Sequence, residues 1–162
     1  PAKVRSVAWV PNEARGDAAL VALACDEVVM RPGAVLGGDG SATIDERRAE
    51  AIAVAWRAGV AKLRERPWSL PLATVLPGFV VQRAEQQGTG RVEYFTAEEL
   101  AARSDRDEWR LGGELGTSPL VVNGQRAEEL GLAAYVVDDF SGLRRAYGLD
   151  DDMGVVEPGW AD

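Results

Sequence analysis

The chain carries few groups able to do covalent chemistry, and their types restrict the reactions open to it. It has no histidine. Neither a Ser–His nor a Cys–His pair can form within it, and the commonest metal ligand is missing. Its one cysteine, Cys25, lies inside an apolar helix–strand junction with nothing nearby to lower its pKa, so it reads as core rather than as a reactive thiol. Only Lys3 and Lys62 are lysines, and Lys62 is the one candidate base inside a helix, against a plain reading as a solvated charge. Asp138 and Asp139 are paired carboxylates at a strand end, a pattern that serves acid–base work or metal binding. With no partner visible, they read first as a cap for the helix that follows. Asp105, Asp107 and Glu108 lack the spacing and the glycine of a calcium loop and read as solvated surface. Gly33–Ser41 is glycine-rich but has neither the G-x-G-x-x-G arrangement nor the lysine of a phosphate loop. What remains is the turn Pro11–Gly16, where a strand gives way to a helix. The free N–H groups of a helix start attract developing negative charge, so enzymes place nucleophiles and oxyanion donors at such turns.

The elements that must hold this turn are legible nearby. Val4–Val10 alternates around Trp9 with β-branched residues and reads as a strand stopped by Pro11 and Asn12. Asp17–Ala24 reads as a helix, with Asp17 as N-cap or first-turn acid at the positive end of the dipole. It is apolar all round, which predicts a central helix with no solvent face. Cys25–Met30 resumes a buried strand. Over Thr43–Arg66, Ile52, Trp56, Val60 and Leu63 recur at helical spacing, with Ala49 and Ala53 on the same side. Thr43 and Glu46 make a capping box there, and Pro67 ends the helix. Trp68–Pro77 is broken by prolines. Phe79–Arg83 and Arg91–Phe95 read as a hairpin around Gln86–Gly90. Thr96 caps Ala97–Arg103 with Glu99 three residues on. Ser104–Arg110 reads as a charged loop, and Glu114–Val122 runs into a strand. Gln125–Leu130 reads as a helix stopped by Gly131, Ala133–Val137 as a buried strand, and Ser141–Tyr147 as the last helix. This alternation of strands and helices predicts α/β with a largely parallel sheet.

The segment EARGDAALVALACDEVVMRPGAVLGG resembles the ClpP-class part of the NfeD-like membrane serine proteases, a branch of the ClpP/crotonase superfamily. Asp26, Glu27, Met30, Pro32, Ala34, Leu36 and Gly37 match the family wording as they stand. Asn123–Val137 is similar to the family's closing helix and strand, and Val156–Asp162 to the linker before its membrane helices. The resemblance implies a ClpP/crotonase spiral of ββα units over residues 1–150, here lacking its N-terminal unit, with 151–162 as a linker toward a membrane segment outside this chain. It implies a Ser–Lys dyad, no cofactor and no metal. The family's serine falls at Gly16, or at Asp17 if the turn slips by one, and its lysine falls at Arg47 or Arg48. Arginine stays protonated and cannot act as a general base. Arg47 or Arg48 is either part of a solvated face or a group that holds a carboxylate or a peptide carbonyl at the site. Gly37 and Gly38 correspond to the loop beside the substrate.

Three functional expectations follow. The first is a degenerate, non-catalytic peptide-binding or assembly domain of a membrane-anchored protein, homo-oligomeric and on the extracytoplasmic side. The second is an active membrane-associated serine endopeptidase with a displaced nucleophile, Ser41 or Ser6, served by Lys62 or by a lysine elsewhere. The third is a crotonase-like acyl-CoA enzyme, for which Asp17 at the helix start is the favouring residue. The formal net charge of −8 argues against nucleic acid and against an anionic membrane surface as partners. With 162 residues and 46% hydrophobic content, the chain is long enough to bury one real core.

Overall fold

A computed structural model of the chain describes residues 4–42, 44–62 and 66–149. The Lys3 side chain, the Thr43 capping residue, Leu63, and the linker from residue 150 onward lie outside these. The first strand, β1 (Val7–Val10), is followed by a two-residue strand, β2 (Glu13–Ala14), inside the stretch expected to be only a turn. Helix α1 occupies Asp17–Ala24, the bounds read from the sequence, and leads into β3 (Glu27–Met30) and β4 (Val35–Gly37). The strand β4 lies in the glycine-rich run read as loop. Gly37 permits this, because it is held at φ 93° and a Cβ there would stand 2.2 Å from the Leu120 carbonyl oxygen.

Helix α2 (Glu46–Trp56) is capped by Asp45, whose carboxylate accepts from the Arg48 N–H at 2.8 Å. It continues as a π-helical turn over Arg57–Ala61. The inward side is the one the spacing predicts, with Trp56 buried and Ile52 and Val60 half-buried. A short helix, α3 (Ser69–Ala73), tolerates Pro71 because the proline falls in the first turn, where no intrahelical N–H bond is lost. Then come β5 (Gln82–Gln86), β6 (Val92–Phe95), α4 (Ala97–Ala101), β7 (Trp109–Glu114), β8 (Val121–Asn123), α5 (Gly124–Glu129), β9 (Tyr135–Val136) and α6 (Phe140–Tyr147).

The described strands form three small sheets. In the first, β1, β3 and β9 run parallel, with Val7 opposite Glu27 and Met30 opposite Val136. In the second, β2 and β4 are parallel while β8 returns antiparallel on β4. The third, β6–β5–β7, is antiparallel throughout. The class is mixed α/β, and the parallel pairing is confined to the first sheet and to half of the second. The main core gathers Val10, Ala19, Leu23, Val28, Met30, Leu36, Leu72 and Leu76 between the first two sheets and the helices. The third sheet keeps a small core of its own, Ala84, Phe95 and Trp109, with Leu100 of α4 against it.

Helix α1 is not a central helix. Ala19, Ala22 and Leu23 are buried, but Ala18 and Val21 face outward, with Val21 69% exposed. An eight-residue Ala-rich helix has only two turns, and the sheets cover one side of it. Cys25, expected in the core, is only half-buried, with its thiol directed at the Val21 carbonyl at 3.6 Å.

Candidate functional site

The turn into α1 has a strained apex. Gly16 is the N-cap residue, at φ 49° and ψ −123°, a conformation that L side chains rarely adopt. A short strand, a sharp turn with positive φ and a helix whose first N–H groups face the turn together make the shape of a nucleophile elbow. No side chain stands at its apex, and the space for one is filled. A Cβ on Gly16 would come within 2.9 Å of Gly40 Cα and 3.0 Å of Gly40 N. The glycine-rich run closes over the apex by backbone alone. The Gly16 N–H donates to the Gly38 carbonyl at 3.1 Å, and the Gly38 N–H donates to the Thr74 carbonyl at 2.7 Å.

The residue after the apex meets the start of α2. Arg48 Nη2 donates to Asp17 Oδ2 at 2.7 Å across 31 positions of sequence. Both side chains are about half exposed. The two positions expected for a nucleophile and a base are therefore neighbours in space, occupied by a glycine–aspartate step and an arginine. Arg47 is exposed beside them. The backbones of Gly37 and Gly38 are committed, Gly37 to its ladder opposite Val121 and Gly38 to Thr74. The Gly38 N–H is thus not a free oxyanion donor.

The other candidate nucleophiles are placed differently. Ser6 is part of a lock between the lead-in to β1 and the lead-in to β3: its hydroxyl donates to Asp26 Oδ2 at 2.8 Å, its N–H donates to the same oxygen at 2.7 Å, and it accepts from the Asp26 N–H at 3.0 Å. Ser41 is exposed, next to the Gly40 that covers Gly16. Lys62 is exposed at the far end of the α2 rod, about 20 Å along the axis from Arg48 at 1.5 Å per residue. Asp139 caps α6, accepting from the Gly142 N–H at 2.7 Å, the structural role read for the Asp138–Asp139 pair. No group of three or more His, Cys, Asp or Glu side chains is placed to hold a metal among the described residues. No helix among them is long and apolar enough to cross a membrane.

Two polar clusters were not foreseen. Glu99 is buried, 5% exposed. Its carboxylate accepts from the Trp68 N–H at 2.7 Å, the Ser69 N–H at 3.0 Å and the Ser69 hydroxyl, and so satisfies the start of α3. The Ser69 hydroxyl in turn accepts from the Thr96 N–H at 3.0 Å. Thr96 does cap α4 by accepting from the Glu99 N–H, but the acid does not reach back to Thr96 as a capping box would. The second cluster is in the arm that the third sheet and α4 form over residues 82–114. Arg103 donates through Nε and Nη2 to Asp105, both at 2.8 Å, and Trp109 Nε1 adds a third bond at 3.0 Å. These bonds, Arg103 first and Trp109 next, hold the Asp105 carboxyl well below the usual carboxylate range. The same guanidinium lies over the Phe95 and Trp109 rings, 4.7 and 5.3 Å from their centroids. At the other end of the molecule, burial and a hydrogen bond to Glu27 at 2.5 Å push the Tyr147 phenol above its ordinary pKa. Only pairing across some thirty residues creates the Glu99 cluster, so no local signal in the sequence announces it.

No family model, no curated protein and no solved structure matches this chain.

Proposed function

We propose that the chain is a degenerate relative of the NfeD-type ClpP-class serine peptidases, a non-catalytic domain that holds a peptide or assembles with copies of itself. The observation that carries this reading is the α1 tip: an elbow with a glycine at its apex and an Asp17–Arg48 ion pair at 2.7 Å where a serine and a lysine are expected. Without a nucleophile no arrangement of the remaining groups performs covalent catalysis. An arginine in place of the lysine removes the base as well. The parallel β1–β3–β9 sheet, joined to a second sheet through a ββα step, supports the same kinship. In this reading the chain belongs to a membrane-anchored protein, with the anchor supplied by other segments and the domain on the extracytoplasmic side.

One observation favours a second reading. Ser41 is exposed and follows Gly40, the residue that packs on Gly16, which supports it as the candidate for a displaced nucleophile. An active endopeptidase would use that hydroxyl, with Lys62 or a lysine elsewhere as the base. A fluorophosphonate probe applied to the folded chain separates the two. No labelled serine is the expected result. Labelling lost in Ser41→Ala would establish the active enzyme instead. The acyl-CoA alternative is weakened because the Gly38 N–H is spent on Thr74 and Asp17 is tied to Arg48. A rise in melting temperature with a CoA thioester would restore it.

A further inference from the structure

We propose that a recess at the end of α1 remote from Gly16 binds a small zwitterion with an apolar body, an apolar α-amino acid being the simplest. The recess measures about 410 Å³, within the range of about 300–1,000 Å³ typical of small-molecule pockets. Its walls include Leu23, Trp56, Val60, Leu70 and Leu132, drawn from four parts of the chain, with Trp56 and Val60 one turn apart on the α2 rod. The recess is open to solvent on one side, and an apolar body seated in it would cover these side chains from water.

The rim decides what else the ligand must carry. Among the described residues, five charged ones border the recess: Arg66, Arg91, Glu93, Glu128 and Glu129. Arg91 pairs with Glu93, and Glu129 accepts from Arg126 at 2.8 Å. Among the described residues, Arg66 and Glu128 take part in no ion pair. Arg66 Nη2 donates to the Asp26 carbonyl at 2.7 Å, a bond to a neutral acceptor that does not neutralise the guanidinium. Glu128 lies in the last turn of α5, where the helix carbonyls add to its negative potential. A cation and an anion that take part in no ion pair among the described residues, on two parts of the chain bordering one recess, suit a ligand with a carboxylate, an ammonium and an apolar side chain. A fatty acid or an alkylamine would satisfy only one of them.

Calorimetric titration of the chain tests this with four probes: phenylalanine, phenethylamine, hydrocinnamate and the doubly blocked N-acetylphenylalanine amide. Phenylalanine should bind saturably, with each single-charge analogue about tenfold weaker, the factor expected from one lost charge-assisted contact. Arg66→Gln should weaken phenylalanine about tenfold and leave phenethylamine unchanged. Glu128→Gln should do the converse, sparing hydrocinnamate. Both side chains are exposed, so these variants keep the fold. Ala61→Phe, which fills the hollow, should abolish binding. Three outcomes would overturn the proposal: no saturable binding of phenylalanine, phenylalanine no tighter than the doubly blocked probe, or binding unchanged in both charge variants. None of them bears on whether the α1 tip is catalytic.

Discussion

The α1 tip and the root of the arm are built from similar parts. In each, a carboxylate bridges two elements about thirty residues apart in sequence: Asp17 to Arg48 at the tip, Glu99 to Ser69 at the root. At the tip both partners are about half in water, the contact is a single hydrogen bond, and the backbone beneath is closed by glycine on glycine. At the root the carboxylate and the serine are buried, and the carboxylate accepts from the Trp68 N–H, the Ser69 N–H and the Ser69 hydroxyl, which itself accepts from the Thr96 N–H. The difference is one of solvent rather than of chemistry. An exposed pair exchanges water for a partner at almost no gain, whereas a buried acceptor that is removed leaves its donors stranded. The Asp17–Arg48 pair is therefore free to change at little cost to the fold, while the glycine beneath it is not. Neither is the root.

Removing the root carboxylate is the severest test of that contrast. Glu99→Ala strands the N–H groups of Trp68 and Ser69 and the Ser69 hydroxyl, and should cost about 3–5 kcal/mol at roughly 1–3 kcal/mol for each orphaned buried group, after partial relaxation. Glu99→Gln keeps the volume and one good acceptor and should cost less. Denaturant unfolding, with the midpoint shifted at constant slope, reads both. If Glu99→Ala proved no worse than a surface change, the division between root and tip would collapse.

A side chain at the elbow comes next. Gly16→Ser must adopt positive φ and push against Gly40, and should cost about 2–4 kcal/mol from strain and overpacking together. The variant Gly16→Ser with Arg48→Lys re-creates both members of a dyad by residue type. It should still take up no fluorophosphonate, because Gly40 fills the space that a side chain at position 16 must enter. Covalent labelling of that double variant would mean that the tip is an intact site lacking only its side chains.

These two regions also show what the sequence makes visible. Helix α1 carries its own signals, an acid at its start and an unbroken Ala/Leu run, and its bounds are read to the residue. Strand β2 is two residues long inside a stretch that reads as a turn, and the meeting of positions 17 and 48 spans 31 residues with no local signal. Strand β4 is hidden among glycines because its partner, β8, is more than eighty residues away. Strand β7, with sequence WRLGGE, lacks the alternation that marks a strand and is formed by pairing with β5. Thr96 is read correctly as a cap, but tertiary packing diverts Glu99 from it toward Ser69. What the chain does with near neighbours is legible, and what it does across thirty or more residues is not.

A pH test sharpens the comparison within the arm. The Asp105 carboxyl is held below its ordinary value, so its contribution to stability is fully present above about pH 4, the unfolded aspartate value. As the pH falls below that value the unfolded chain takes up the proton and the folded chain does not, and the contribution is lost. Asp105→Asn should therefore be less stable than the parent at pH 7, and the gap should narrow at pH 3. Denaturation of both proteins at the two pH values checks it. A gap that stays constant would show that the Arg103 bonds do not favour the ionised acid.

The smallest effect is expected at the tip itself. A double-mutant cycle on Asp17→Ala and Arg48→Ala should give a coupling energy of about 0.2–1 kcal/mol, the range for exposed ion pairs. Raising the salt from 0.05 to 1 M should bring it toward zero, because the Debye length then falls to about 3 Å. Part of the single-variant cost is unrelated to the pair, since Asp17 also sits at the positive end of α1, and the cycle removes that part. A coupling above about 2 kcal/mol that survives high salt lies outside the range for a solvated pair. It would mean that Asp17 and Arg48 meet in a dry, organised site, and the tip would then resemble the root more than it does here.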